Sequence, residues 1–249
     1  MSLCNDKIKK ITLKELLSLI IVLFIIQYLF NYLNIIHIDI VWFYVFILIY
    51  FIFKLREDIF SLKSDFSQLF DSDLLKEMVG IVILNIFFSY GMLYFSNFIL
   101  DISLSINLFN SFLTGSLITT IFISPLSEEL IFRGVFLNRL RLVVPVTFAV
   151  LISSLLFASL HSFGSIFSAF IFAMCVAILY IKTDDILVPI LVHFLNNLIA
   201  EIIVVFDSNK ILFTNDLVML AISGLALISF VLILIYILKQ LNTINHNNF

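Results

Sequence analysis

The chain has 249 residues, of which 62% are hydrophobic and only 12% charged; its net charge is −3 and its mean hydropathy +1.18. Soluble domains run nearer about 45–50% apolar and 25% charged, so this composition excludes a water-soluble globule and fits a chain whose solvent is lipid. No basic block is present, which argues against nucleic acid as a partner, and the two cysteines, Cys4 and Cys175, match no disulfide or metal spacing. The richness in Ile, Phe, Leu and Asn hints at a low-GC genome.

A spanning helix needs about 20 mostly apolar residues at about 1.5 Å each, and eight such segments fit along the chain as one integral membrane domain, 1–249. Met1 to Lys10 is charged and polar. The apolar run behind it is too long for a signal-peptide core and has no small-residue cleavage site, so it reads as a retained first span, Leu13–Leu33. The second span is expected at Ile40–Phe53. Between Leu55 and Asp73 apolar Phe60, Phe66, Leu69 and Phe70 alternate with Asp58, Lys63, Asp65 and Asp71, which suits an interfacial amphipathic helix or a plain solvated loop. Spans three to eight are expected at Met78–Leu100, Ile106–Ser124, Leu142–Leu160, Ser165–Ile181, Ile186–Phe206 and Leu217–Leu238.

Charge gives the direction. Lys7, Lys9, Lys10 and Lys14 precede the first span. Lys54, Arg56, Lys63 and Lys76 flank the second connection, Arg139 and Arg141 the fourth, Lys182 the sixth, and Lys239 follows the eighth. Lys210 alone breaks the alternation. With eight spans every basic cluster falls on one side, and the positive-inside rule puts that side and both termini in the cytoplasm.

Ionisable groups inside a bilayer are expensive and mark function. The first cluster is Ser124-Pro125-Leu126-Ser127-Glu128-Glu129, followed by Arg133. Pro125 is expected to break or kink the fourth span, with Ser124 or Ser127 capping a new helix that opens on two glutamates. Glu129 and Arg133, at i and i+4, share a face and can pair, whereas Glu128 points about 100° away and has no local partner, which suits it to general-base work. The plainer reading is a charged helix start at the membrane surface. The second cluster is Phe157 with His161, and the third His193 with Asn197, again i and i+4. By helical rise Glu128 lies about 18 Å from Arg139/Arg141 and His193 about 12 Å from Asp185, so a shared site within the membrane, reached from the cytoplasmic side, is expected. His37 and His246 fall in a short loop and the polar tail.

The ordered set Glu128-Glu129-x-x-x-Arg133, Phe157-x-x-x-His161 and His193-x-x-x-Asn197, on successive helices, resembles the CPBP intramembrane protease family. That family includes the type II CAAX prenyl endopeptidases and bacterial relatives linked to bacteriocin processing and self-immunity. The resemblance spans about Ser124 to Glu201, within a motif-bearing core of about 106–206. It implies an intramembrane endopeptidase acting on a membrane-associated or lipidated peptide or protein. Glu128 would activate the attacking water with help from His161, and His193 and Asn197 would steady the oxyanion. Glu129, Arg133 and Phe157 would be supporting structure. In a bacterium it also implies the plasma membrane.

Family names often say metalloprotease, and Glu128, His161 and His193 are the zinc set such a site would use. The sequence lacks the His-Glu-x-x-His pattern, and glutamate with histidine can activate water unaided, so the metal-free reading, with no cofactor required, is preferred. A serine hydrolase would have to rest on Ser124, Ser127 or Ser159 without a nucleophile-elbow motif. The alternatives from other classes are a non-catalytic scaffold or immunity protein of the same fold, and a transporter; no inverted repeat supports the last.

Overall fold

A computed structural model describes residues 3–33, 40–58, 60–61, 68–100, 117–161, 166–207 and 215–246. Among them every regular element is helical, and the protein is a polytopic helix bundle. A short amphipathic helix, α1 (Leu3–Lys10), precedes the spans. The helices that follow are α2 (Leu13–Tyr32), α3 (Ile40–Leu55), α4 (Ser72–Leu100), α5 (a continuous helical run over 117–140), α6 (Val146–Ser159), α7 (Ile166–Thr183), α8 (Leu187–Phe206) and α9 (Asp216–His246). Five of these, α2, α4, α7, α8 and α9, are long and apolar enough to cross a membrane, and α3 and α6 are shorter apolar helices.

Local chemistry sets the ends. Thr12 caps α2, its hydroxyl accepting from the Glu15 amide at 3.2 Å, the Thr-x-x-Glu arrangement of a capping box. Asp71 caps α4 through the amides of Asp73 and Leu74 at 3.1 and 3.0 Å, so this helix starts six residues before the expected Met78. Asn215 does the same for α9 through Leu217 and Val218 at 3.1 and 3.2 Å. Pro145, with its fixed φ of −53°, leads into α6 after a turn at 141–144. Most of the expected amphipathic stretch lies outside the described residues; its described end is a short 3₁₀ turn at Gln68–Phe70.

The fourth span departs from expectation. Residues 106–116 lie outside the described residues, but from 117 the helix does not break at Pro125; it runs on to Leu140. The backbone before the proline is right-handed helical, with Ile123 at φ −71°, ψ −47°. Thr119–Ile123 is wound as a π-helix, in which the Ser124 amide reaches back to the Thr119 carbonyl. The wider turn makes room for the pyrrolidine ring and re-pairs the carbonyls a proline would orphan. A second π-helical stretch, Leu130–Leu137, follows the glutamates. Neither Ser124 nor Ser127 caps a helix start: Ser127 Oγ donates to the Ile123 carbonyl at 2.8 Å, and Ser124 Oγ turns to the Glu128 carboxylate.

α7 is the central helix, with every residue from Ile171 to Tyr180 buried, while α2 buries only Leu16 and presents the rest of its apolar surface outward, as a lipid-facing helix must. α4 and α9 pack so closely that a Cβ placed on Gly91 would overlap Ala226 Cβ. The basic connections meet at one end of the bundle. There Lys7 pairs with Asp58 at 2.8 Å, Lys9 with Asp184 at 2.5 Å, Lys54 with Glu15 at 2.6 Å and Lys182 with Glu77 at 2.6 Å. Arg139 Nε donates to the Ile11 carbonyl at 2.7 Å at that same end. α1 folds across it, its Ile8 pressed against Gly134 of α5.

Candidate active site

Glu128, Glu129 and Arg133 project from α5 into the packing of α3, α6, α7 and α8 and are 5%, 0% and 1% exposed. The expected pair forms: Arg133 donates to Glu129 Oε1 at 3.0 Å, and its other terminal nitrogen donates to the Ala173 carbonyl of α7 at 3.0 Å. The guanidinium also lies 4.6 Å from the centre of the Phe157 ring. The same Glu129 oxygen receives His193 Nδ1 at 2.7 Å. A carboxylate already paired with arginine only accepts, so His193 carries its proton on Nδ1 and turns Nε2 toward Glu128, 3.9 Å from Oε2. Glu129 thus has a second duty that its i+4 partner does not reveal: it orients a histidine from a helix 64 positions further along the chain.

Glu128 is not the unpartnered carboxylate the spacing suggested. Its Oε1 accepts from Ser124 Oγ one turn earlier and from the Tyr44 hydroxyl of α3 at 2.8 Å. Oε2 is sealed from solvent, accepts no hydrogen bond, and faces His161 Nε2 at 3.3 Å. His161 hangs at the end of α6, where Nδ1 donates to the Phe157 carbonyl at 2.8 Å. A carbonyl only accepts, so Nδ1 carries a proton and Nε2 is the nitrogen that faces the carboxylate.

The Phe157-x-x-x-His161 spacing has a visible physical purpose. One turn apart, the two rings stack with centroids 4.1 Å apart, and the other edge of Phe157 meets the His193 ring at 5.6 Å. A single phenyl ring therefore separates both histidines and the Arg133 guanidinium at fixed distances.

Glu128, His161, His193 and Asn197 all line one cavity of about 280 Å³. Asn197 Nδ2 donates to the Thr120 carbonyl at 2.9 Å, using one of its two amide hydrogens. The cavity continues along Thr120 of α5, Asn85, Tyr90 and Leu93 of α4, and Ala200 of α8, away from the Lys-rich end. Toward that end the described residues fill the space, with Arg133 on Ala173 and Asn138 Nδ2 on the Tyr180 hydroxyl at 2.6 Å. On α5 the lining comprises Thr120, Ser124 and Glu128, all on the far side of Arg133 from the Lys-rich end.

Tyr44 and Asn85 are the site residues that the sequence reading missed. Each lies in an early helix with no motif around it; Asn85 lines the cavity and donates to Asn196 at 2.8 Å across to α8. As for metal, among the described residues no group of three or more His, Cys, Asp or Glu side chains is disposed to hold an ion. Within the expected zinc set, His161 Nε2 lies 3.3 Å and His193 Nε2 3.9 Å from Glu128 Oε2, while His193 Nδ1 is held by Glu129.

Comparison with known proteins agrees with the motifs. No curated protein and no solved structure matches the chain. Residues 109–199, which carry Glu128, Glu129, Arg133, Phe157, His161, His193 and Asn197, match the family described as type II CAAX prenyl endopeptidase Rce1-like. That segment is similar to the type II CAAX prenyl endopeptidases, in line with the motif resemblance.

Proposed function

We propose that the protein is an intramembrane endopeptidase that hydrolyses a peptide bond of a membrane-associated or lipidated substrate with a water activated by Glu128 and His161. The observation that carries this reading is the free, buried oxygen of Glu128 facing His161 Nε2 at 3.3 Å inside a cavity of about 280 Å³. Ser124 and Tyr44 hold the other oxygen, which fixes the carboxylate plane, so Oε2 is the one offered to a reactant.

In this reading a water between Oε2 and the scissile carbonyl gives one proton to the Glu128–His161 pair as its oxygen bonds to the carbonyl carbon. The negative charge gathers on the carbonyl oxygen, where preorganised donors do the most good. His193, oriented through Nδ1 by Glu129, and Asn197, with the amide hydrogen that Thr120 leaves free, face that oxygen. The tetrahedral intermediate collapses when the Glu128–His161 pair returns its proton to the departing amine. Burial strengthens each of these charge interactions relative to water. No step passes through a metal.

The test is reconstitution in sealed vesicles with a membrane-anchored candidate peptide. Wild type should cleave it, and Glu128→Ala and His161→Ala should each lose about 10²-fold to 10⁴-fold in rate while still inserting and unfolding at a similar temperature. Equal cleavage by the Glu128→Ala protein removes the mechanism; solute flux without new fragments points to a transporter instead.

A further inference from the structure

Pro125 does not break α5, but it changes who serves the carbonyls before it. In a regular α-helix the Thr120 carbonyl accepts from the amide four positions on, that of Ser124. Here the Ser124 amide reaches back to Thr119 as part of the π-turn, and the next residue is the proline, which has no N–H to offer. The Thr120 carbonyl is served from another helix: Asn197 Nδ2 of α8 donates to it at 2.9 Å. Within a bilayer a backbone acceptor has to find its donor inside the protein, so the proline of α5 and the asparagine of α8 answer each other.

A carbonyl only accepts, and that fixes the direction of every amide behind it. Asn197 presents nitrogen to Thr120, so its Oδ1 points the other way, where Asn196 Nδ2 approaches it at 3.4 Å. Asn196 then turns its own Oδ1 to Asn85 of α4, whose Nδ2 donates at 2.8 Å. Three amides thus donate in one direction, from α4 through α8 to α5, and all three line the cavity that holds Glu128 and His161. A flipped Asn197 would set two oxygens against each other at Thr120 and two nitrogens at Asn196.

We propose that Pro125, Asn196 and Asn85 are positioning residues: the Thr120 carbonyl on one side and the amide row on the other lock Asn197 so that it offers an N–H, and not its oxygen, to the substrate carbonyl. This inference rests on the peptidase reading of the same cavity, in which Asn197 faces the oxyanion. An amide free to turn over would bring its own oxygen to a developing negative charge and repel it. Donation along a row also polarises each amide in turn, which strengthens the last N–H. The contribution of Pro125 in this account is its missing N–H rather than a kink.

The experiment uses the full-length protein in lipid nanodiscs and the membrane-anchored peptide of the cleavage assay. Asn197→Ala should lower kcat by about 10²-fold to 10³-fold, the loss that follows removal of one oxyanion donor. Pro125→Ala, Asn196→Ala and Asn85→Ala should each lower kcat by about tenfold with KM within about twofold of wild type. Pro125→Ala should nevertheless unfold at or above the wild-type temperature, because alanine restores an N–H inside a helix; a merely structural proline would not combine lost rate with intact stability. In the Asn197→Ala background each of the three should cost less than about twofold, since nothing is left to position. Losses that multiply with that of Asn197→Ala, or a rise in KM with kcat intact, remove the positioning role and leave the hydrolase standing. A second readout needs no cleavage. The Asn197 side-chain amide signals in NMR spectra of asparagine-labelled protein, assigned by their absence in Asn197→Ala, should move in Pro125→Ala and in Asn196→Ala. Moved signals with no cleavage by wild type keep the amide row and remove the hydrolase; signals that stay in place overturn the proposal.

Discussion

At the scale of single residues, the account turns on which carboxylate oxygen is tied and which is free. Tyr44 reaches Glu128 Oε1 from a helix outside the family match, and its role is positioning: it holds the carboxylate so that Oε2 meets His161. A hydrogen bond to a charged group contributes about 1.5–3 kcal/mol, so Tyr44→Phe should lower kcat by about 10-fold to 100-fold with KM little changed. A matching rise in KM with kcat intact would instead make Tyr44 a substrate contact. Arg133 answers a different question. It is fully buried between Glu129, the Ala173 carbonyl and the Phe157 ring. Arg133→Ala leaves Glu129 without its arginine counter-charge and should cost about 3–5 kcal/mol of stability, read as a fall in the thermal midpoint in detergent. Adding Glu129→Gln to it should restore part of that loss. If the single variant unfolds at the wild-type temperature, the buried pair is not what fixes α5 against α7.

Among elements, α4 and α9 offer the sharpest contrast. Gly91 faces Ala226 so closely that a methyl group cannot be added without moving one helix, whereas nothing lies within 4 Å of a Cβ at Gly80 one span-half away on the same helix. Gly91→Ala should destabilise by about 1–3 kcal/mol through overpacking, and Gly80→Ala should be neutral or stabilising by up to about 1 kcal/mol through helix propensity. Thermal midpoints of the two variants in one detergent give the comparison; the reverse order would mean that α4 and α9 do not pack as described. α5 makes the complementary point. Its two π-helical stretches flank the glutamates, and the wider turns allow Pro125 inside a helix and set Glu128 and Glu129 toward different neighbours, one to α3 and α6, the other to α7 and α8.

For the molecule as a whole, what the sequence disclosed and what it withheld separate along physical lines. Hydropathy located the apolar helices because lipid demands length and apolarity, but not all of their ends: α4 begins early at its Asp71 cap, α9 runs on from Leu238 to His246, and α5 runs on from Ser124 to Leu140. Alternation of basic clusters disclosed that the connections share one end, and Lys7, Lys9, Lys54 and Lys182 do meet partners there. Motif order grouped Glu128, His161, His193 and Asn197, and the four line one cavity. The fate of Pro125 was withheld because a π-turn is a tertiary accommodation with no residue pattern of its own. Tyr44 was withheld because a hydroxyl in an apolar span looks the same whether it faces lipid or a carboxylate 84 positions away. The direction in which the cavity runs was withheld because helical rise gives depth but not which side the neighbouring helices fill.

The central claim is that Glu128 and His161 act as one unit on one water. A double-mutant cycle of single-turnover cleavage rates tests it most directly, with Glu128→Gln, His161→Asn and the combination, all on the same anchored peptide in nanodiscs. The account predicts strong non-additivity: each single variant loses about 10²-fold or more, and the double variant is no more than a fewfold slower than either. Losses that multiply through the double variant would contradict it, because two groups that serve the same proton cannot each be lost twice.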